Sequence, residues 1–314
     1  MRYRPLGRSG LTVSVVGLGC NNLGRSLDVA GTRKVLDAAL DAGITLLDIA
    51  DIYGGHPGQS EEILGEVLEG RRDEVVLATK FGMDMRGANG PDWGARGSRR
   101  YVRTAVEASL RRLRTDHLDL YQYHVPDRVT PVEETLAALD ELVRAGKVRY
   151  VGSSNFAGWQ VAQADHVAAS LGAERFVSAQ NEYNLLDRGV EAELVPACSA
   201  YGVGLLPFFP LANGLLTGKY RRGEEPPAGT RIADRKRELY DAAPWDVLER
   251  LAAYAGERGL TMVDVAVGGL AAQPAVASVI AGATSPEQVR ANAAAGDWQP
   301  TPEDLAALTA ALTA

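Results

Sequence analysis

Four side chains suited to proton transfer follow one another along the chain: Asp48, Tyr53, Lys80 and His124. Reduction of a carbonyl by a hydride donor needs an acid that protonates the developing alkoxide and still holds its own proton at neutral pH. A tyrosine phenol, whose pKa is about 10, meets this need when a nearby ammonium makes proton transfer reversible. Asp48 would keep that ammonium charged and in place, and His124 would orient the substrate oxygen. The set therefore favours carbonyl reduction.

A repeated βα pattern is expected to position these side chains. Short Val, Ile and Leu runs alternate with segments whose apolar residues recur once per helical turn, which is typical of a parallel sheet crossed by helices. Eight strands are predicted, at residues 12–17, 45–48, 75–79, 118–124, 148–153, 176–180, 204–208 and 276–280. If they close into a (β/α)8 barrel, all four side chains lie at or just after the C-terminal strand ends, where barrel enzymes keep their chemistry.

One such domain accounts for residues 1–314, because a chain of 314 residues with 46% hydrophobic content buries a large core. A barrel needs only about 250 residues, so three extra pieces are predicted. The segment before residue 12 would form a hairpin that closes one end. Residues 82–97, rich in glycine, and residues 210–243 would form long loops at the C-terminal face, the first of them mobile. Helices are predicted to start at Thr130-Pro131 and Ser285-Pro286, each with a capping residue before a proline.

An open doubly wound sheet would give the same alternation of strands and helices. The Gly17-x-Gly19 pair after the first strand is the start of a dinucleotide fingerprint. The fingerprint needs a third glycine at the position of Asn22, and the acidic residue at the right distance, Asp48, has a better use. The barrel is therefore preferred.

Composition narrows the classes of partner. A net charge of −7 and a pI near 5.3 give no long-range attraction to nucleic acid or to an anionic membrane. The arginines of residues 98–114 share a helix with regularly spaced apolar residues, so they indicate a solvated face.

Two cysteines and a start without an apolar signal core predict a cytoplasmic protein, and no apolar run is long enough for a membrane span. His56, His117 and His166 stand apart from other ligands, so no metal site is predicted.

The flanking residues carry a family resemblance. GITLLDIADIYG contains Asp48 and Tyr53, LATKFG contains Lys80, and DHLDLYQYHVPD contains His124. In these segments and their order the chain resembles the aldo-keto reductase family, along nearly its whole length. The resemblance implies a TIM barrel, a nicotinamide cofactor that passes hydride from C4 to a carbonyl carbon, and Tyr53 as the proton donor.

The same resemblance implies a cofactor site. GKVRYVGSSNF and AQNEYN match the segments that hold the nicotinamide amide, LLPFFPLANGLLTGKY matches the segment that stacks on the nicotinamide and wraps the diphosphate, and IAGATSPEQVRAN matches the segment that binds the adenosine half. The implied contacts are Ser154, Asn155 and Gln180 at the amide; Phe208, Pro210, Leu211, Gly214 and Leu216 at the ring and diphosphate; and Gly282, Thr284, Ser285, Gln288 and Asn292 at the adenosine.

Two parts of this site stay open. Relatives specialised for NADPH often carry Lys or Arg at the positions of Gly282 and Gln288, so NADP(H) is preferred only narrowly over NAD(H). Gly19, Cys20 and Asn21 are expected beside the nicotinamide, although Cys20 is equally explained as a buried small apolar residue. Asn22 and Trp93 are candidates for the substrate pocket.

Three other functions compete with aldehyde or ketone reduction. The same site, run in the other direction, would oxidise an aldose at C1. A cofactor-sensing regulatory subunit is a second alternative, since potassium-channel β subunits resemble this family. A lyase or isomerase barrel for phosphorylated sugars is disfavoured, because its phosphate site would not need the four-residue set. A small carbonyl compound or sugar is the expected substrate, and its identity and the oligomeric state stay open.

Overall fold

The chain begins with an antiparallel hairpin of β1 (Tyr3–Pro5) and β2 (Thr12–Ser14), seen in a computed structural model that describes residues 1–313. Its apolar side chains, Leu6, Leu11 and Val13, pack into one buried cluster with Leu46 and other residues of the barrel strands. Burial of this apolar surface holds the hairpin against the barrel. The predicted hairpin that closes one end of the barrel is present.

Eight parallel strands form the barrel: β3 (Val16–Gly19), β4 (Leu46–Asp48), β5 (Val76–Phe81), β6 (Leu118–Tyr123), β7 (Val148–Ser154), β8 (Phe176–Gln180), β9 (Gly204–Leu205) and β10 (Val279–Gly282). They are hydrogen-bonded in the order β10, β3, β4, β5, β6, β7, β8, β9. Leu205 N donates to Ala275 O, and Ala277 N donates to Leu205 O, which brings the segment before β10 against β9. The predicted (β/α)8 barrel is confirmed.

Helices surround the sheet: α1 (Val29–Asp41), α2 (Gln59–Val67), α3 (Arg99–Leu113), α4 (Val132–Arg144), α5 (Gly158–Leu171), α6 (Leu194–Tyr201), α7 (Arg231–Arg235), α8 (Arg237–Asp241), α9 (Trp245–Glu257), α10 (Met262–Ala271), α11 (Pro286–Ala295) and α12 (Pro302–Thr313). Short 3-10 helices occupy Arg72–Glu74, Gly189–Glu191 and Ala212–Thr217. The apolar stripe of α4, for example, buries Leu136, Leu139 and Leu142 in the core between sheet and helices.

The predicted first strand, residues 12–17, is wrong as a single element. Its first half belongs to β2 of the hairpin and its second half to β3, with a bend at Val15 between them. The Ser14 hydroxyl donates to Val16 O and accepts the backbone N–H of Thr45, so a side chain replaces the strand ladder at the bend. Val13, Val15 and Val16 continue the apolar pattern on both sides of Ser14, which hides the bend in the sequence.

The boundaries of the last two strands and one helix start also differ from prediction. β9 ends at Leu205, short of the predicted residue 208, because Pro207 has no N–H for the ladder, and β10 begins at Val279 and reaches Gly282. α4 begins at Val132 with Pro131 as its N-cap, because Asp127 accepts the backbone N–H and the hydroxyl of Thr130. The predicted start at Ser285-Pro286 is confirmed: Ser285 caps α11 by accepting the N–H of Gln288.

The two predicted loops differ in kind. Residues 82–97 form an irregular loop, as predicted, but Met85 and Asn89 are buried and hold it in place. Residues 210–243 contain a 3-10 turn and both α7 and α8, so the prediction of a single long loop is wrong there. The Thr230 hydroxyl caps α7 by accepting the N–H of Ala233, which starts a helix directly after the Gly- and Pro-rich stretch.

Candidate active site

Neighbouring strand ends bring Asp48, Tyr53, Lys80 and His124 together. Asp48 ends β4, Lys80 lies in β5 next to its end, and His124 directly follows β6. Lys80 Nζ donates to Asp48 Oδ2 at 2.7 Å and lies 5.2 Å from the centroid of the Tyr53 ring. The Tyr53 and His124 rings meet edge to face, with centroids 6.0 Å apart. The geometry is that of one site.

The Asp48 carboxylate is buried and fully engaged. Its Oδ2 accepts the Lys80 ammonium, and its Oδ1 accepts the side-chain amides of Gln180 at 2.8 Å and Gln122 at 3.4 Å. A buried charge is tolerated only when it is paired and its remaining lone pairs are satisfied. Asp48 therefore acts as a fixed anchor for the ammonium.

Lys80 is completely buried, which by itself disfavours its charged form. The charge and hydrogen bond of Asp48 outweigh that burial, so the pKa of Lys80 is raised. Nζ also donates to Ile49 O at 2.9 Å. The site thus holds a permanent ammonium beside the Tyr53 ring.

The Tyr53 phenol keeps its proton strongly. Burial raises its pKa above the ordinary value, and the Lys80 ammonium acts in the opposite direction without overcoming burial. The site therefore presents a neutral acid next to a cation.

His124 is a neutral imidazole. Burial, and then the nearby Lys80 charge, lower its pKa to about 3. Its Nδ1 is buried and, among residues 1–313, accepts or donates no hydrogen bond. A neutral ring donates through only one nitrogen, so at neutral pH His124 can donate one hydrogen bond to a ligand oxygen.

One cavity of about 1070 Å3 opens beside these residues, with Asp48, Tyr53 and His124 in its wall. This volume lies just above the usual range of about 300–1,000 Å3 for small-molecule sites. Most of the predicted ligand contacts also line it: Gly19, Cys20, Asn21, Asn22, Gln180, Phe208, Pro210, Leu211, Gly214, Gly282, Thr284, Gln288 and Asn292.

Other predicted residues lie elsewhere. Lys80 sits behind Tyr53, and Leu216 is buried in the core. Ser154 and Asn155 lie beside the cavity, where the Asn155 amide donates to His124 O at 2.9 Å and to Ser154 Oγ at 3.1 Å. Ser285 is occupied as a helix cap. Trp93 is 71% exposed and stacks on Arg100, so the structure does not bring it into the pocket.

Four cationic residues in the cavity wall were not predicted: Arg25, Lys219, Arg231 and Arg235. Arg231 Nη2 donates to Asn22 Oδ1 at 3.2 Å, across the cavity from its own segment. Burial, and then the charges of Arg235 and Arg25, lower the pKa of Arg231, so like charges are held close together. Such a cluster favours an anion. Lys219 lies in the quoted LLTGKY segment, but no spacing in the sequence marks Arg231.

The donor set fits a nicotinamide dinucleotide. One part of the wall offers the proton-transfer residues and the aromatic ring of Phe208, and another offers cations together with Thr284 and Gln288 by the start of α11. Helix N-termini and cations suit phosphates. Among residues 1–313, three or more His, Cys, Asp or Glu side chains nowhere gather as a metal site, and no helix there is long and apolar enough to cross a bilayer.

This chain is similar to known proteins along nearly its whole length. The model of the "Aldo/keto reductase family" matches residues 15–313. An "Uncharacterized oxidoreductase YrpG" from Bacillus subtilis (strain 168) is 40% identical over 92% of this chain and 89% of its own length. A "Probable voltage-gated potassium channel subunit beta" from Oryza sativa subsp. japonica is 37% identical over 96% and 94%, and an "L-glyceraldehyde 3-phosphate reductase" from Escherichia coli (strain K12) is 34% identical over 93% and 86%.

Proposed function

The chain belongs to the aldo/keto reductase family and is a nicotinamide-dependent oxidoreductase, and from this premise we propose that it reduces aldehydes or ketones with NADPH, using Tyr53 as the proton donor. The observation that carries the proposal is the buried Lys80–Asp48 ion pair behind a protonated phenol and beside a neutral imidazole. The bound cofactor supplies a hydride to the carbonyl carbon.

The side chains divide the remaining work. His124 donates a hydrogen bond to the carbonyl oxygen and fixes its direction toward the Tyr53 hydroxyl. Tyr53 then gives its proton to that oxygen as negative charge develops there. Lys80 stabilises the resulting phenolate, because its ammonium is held next to the ring by Asp48. Proton return to Tyr53 from solvent completes the cycle.

The cationic cluster supports NADP(H) over NAD(H). Gly282 and Gln288 cannot neutralise a 2′-phosphate, but Arg231 and Arg235 line the same cavity as Gln288 and Thr284. We propose that Arg231 supplies the missing charge, since guanidinium groups bind phosphate through paired N–H donors. Phe208 would stack on the nicotinamide, and Pro210, Leu211 and Gly214 would border the diphosphate.

A rate panel tests the proposed reaction. Initial rates with NADPH, NADH, NADP+ and NAD+ would be measured on small aldehydes, ketones and aldoses. The proposal predicts the fastest turnover for reduction with NADPH, and rates that are fastest for oxidation of an aldose would overturn it in favour of a sugar dehydrogenase.

Both cysteines are buried thiols, which supports the further proposal of a reducing, cytoplasmic compartment.

A cofactor-sensing subunit is the second candidate. Two relatives, from rice and from Arabidopsis thaliana, carry the name of a potassium channel β subunit at 37% and 34% identity. Such a protein would bind NADPH and turn over slowly. Tight NADPH binding with barely measurable turnover on every compound of the panel would favour this candidate over a metabolic reductase.

A further inference from the structure

A polar network connects the turn at residues 50–53, here called the Tyr53 turn, to the 82–97 loop. Asn89, in that loop, donates from Nδ2 to Asp51 Oδ2 at 3.0 Å. Its Oδ1 accepts Arg112 Nη1 of α3, also at 3.0 Å. Asn89 therefore joins the loop both to the turn and to a helix on the outside of the barrel.

The network continues to the strand that carries the ammonium. Arg112 Nε donates to Glu61 Oε2 at 2.7 Å, and Glu61 Oε1 accepts the hydroxyl of Thr79 at 2.7 Å. Thr79 directly precedes Lys80 in β5, and the backbone N–H of Asp51 donates to Lys80 O at 3.3 Å. The Asp51 network is defined here as the side chains of Asp51, Asn89, Arg112, Glu61 and Thr79. It begins two residues before Tyr53 in the chain and ends at the residue before Lys80.

Four of the five members of the network are buried, and the side chain of the fifth, Arg112, is 13% exposed. Asp51, Glu61 and Thr79 are fully buried and Asn89 is 3% exposed. Burial, and then the neighbouring charge of Glu61, raise the pKa of Asp51 well above its ordinary range. Glu61 and Arg112 form a charge pair within this network. Groups buried in this way are held in one arrangement, because an unmade hydrogen bond there is costly.

The network also reaches the cavity through the chain. Ile52 and Tyr53, which follow Asp51, both line it, and so does Met83 from the 82–97 loop. Met83 faces the same opening as Tyr53 and His124, so the loop forms part of the wall around the reacting oxygen. The position of that wall depends on what anchors the loop.

We propose that Asp51 and Asn89 are positioning residues, which lock the 82–97 loop to the Tyr53 turn and so fix the Met83 wall of the substrate pocket. The inference rests on the proposed carbonyl reduction for its kinetic readout. A hydrogen bond between the loop and the Tyr53 turn thereby sets where the carbonyl compound sits, while the dinucleotide, held by other segments, is bound as before.

Asn89→Ala is the first test, since it removes one side chain from a loop and leaves the helices intact. Misplacement of a substrate costs about 10- to 100-fold in rate, so kcat/KM for the carbonyl compound should fall by about that factor, mainly through KM. The Kd of NADPH, measured by fluorescence titration, should change less than about twofold. Arg86→Ala, at an exposed position in the same loop, is the matched control and should behave as the wild type.

Two substitutions at Asp51 separate positioning from bulk stability. Asp51→Asn keeps a side-chain oxygen that can accept the Asn89 amide, so kcat/KM should stay within about threefold of the wild type. Asp51→Ala removes the acceptor and should reproduce the loss seen with Asn89→Ala. Wild-type kcat/KM in folded Asn89→Ala would overturn the proposal, and so would equal losses for Asp51→Asn and Asp51→Ala.

Amide hydrogen exchange gives a readout that needs no turnover. Residues 82–97 should exchange faster in Asn89→Ala than in the wild type and at the wild-type rate in Asp51→Asn. Unchanged exchange in Asn89→Ala would contradict the positioning role. If instead the wild type reduced no carbonyl compound while the exchange results held, the proposed reaction would fail and the loop anchor would stand.

Discussion

Two long segments, residues 82–97 and residues 210–243, flank the same cavity and are held in place by different kinds of contact. The 82–97 loop is tied down from beneath, by buried Asn89 and by Gly97, whose N–H donates to Asp127 Oδ2 at 2.6 Å. The 210–243 segment buries apolar side chains, such as Leu216 and Ile232, in a cluster of its own with the helices around it. Its charged side chains form exposed ion pairs, such as Arg222 with Glu249 at 2.9 Å and Arg237 with Glu225 at 2.6 Å. Both segments were expected as loops; the first is anchored by a buried polar network and the second by apolar packing.

The difference matches two tasks. A wall that defines where hydride and proton meet must not move, and buried hydrogen-bonded groups provide that rigidity. If the 210–243 segment covers the dinucleotide, as proposed, it has to open, and its exposed ion pairs give little resistance because water and salt screen them. Its contact with Asn22, made by Arg231, is a single part-buried hydrogen bond. We expect substitution of the buried polar residues of the 82–97 loop to cost more than substitution of the charged surface residues of the 210–243 segment.

The largest effect on this comparison is expected from Arg112→Leu. It leaves the buried Glu61 carboxylate without its cation, so we expect the free energy of unfolding to fall by about 3–5 kcal/mol. Arg222→Ala, which breaks exposed pairs in the other segment, is the matched control and should leave the midpoint of urea unfolding unchanged. Equal shifts of the urea midpoint for the two variants would break the comparison.

A smaller, selective effect is expected from Arg231→Ala. If Arg231 contacts the 2′-phosphate, its loss should raise the Kd of NADPH by about 10- to 100-fold and leave the Kd of NADH nearly unchanged. Fluorescence titration with both cofactors measures the two constants. A parallel loss for both cofactors would instead assign Arg231 to a phosphate that they share.

The smallest expected effect concerns pH: the rate of reduction should stay constant over a wide range of pH. Reduction needs protonated Tyr53, whose pKa is raised above its ordinary value, and neutral His124, whose pKa is about 3. The rate of reduction should therefore be level from about pH 5 to pH 9 and fall only as the phenol loses its proton at higher pH. Oxidation, which needs the phenolate, should rise over that alkaline range. A midpoint between about pH 6 and 7 in the reduction profile would show that a histidine titrates in the mechanism.

The sequence predicted the barrel and the four central residues for separate reasons. Strands in a parallel barrel are buried on both faces, so short apolar runs mark them well. Asp48, Tyr53, Lys80 and His124 are local features, each at or just after a strand end. The bend at Val15 was missed because the apolar pattern continues through it.

Residues that act across the fold left no such mark. Gln122 lies inside β6, and only the closed barrel brings its amide to Asp48. Asn89 and Arg112 are 23 positions apart and meet only through packing. Arg231 lies in a segment whose composition gave no indication that this side chain lines the cavity. Long-range pairing of this kind is a property of the tertiary structure, which single-sequence patterns do not contain.

Tyr53→Phe tests the central claim most directly, because it removes the proposed acid and keeps the ring. We predict that reduction falls by at least about 100-fold, measured by the disappearance of NADPH absorbance, while NADPH binds with its wild-type Kd in fluorescence titration. Turnover at the wild-type rate by the folded, cofactor-binding variant would contradict the account.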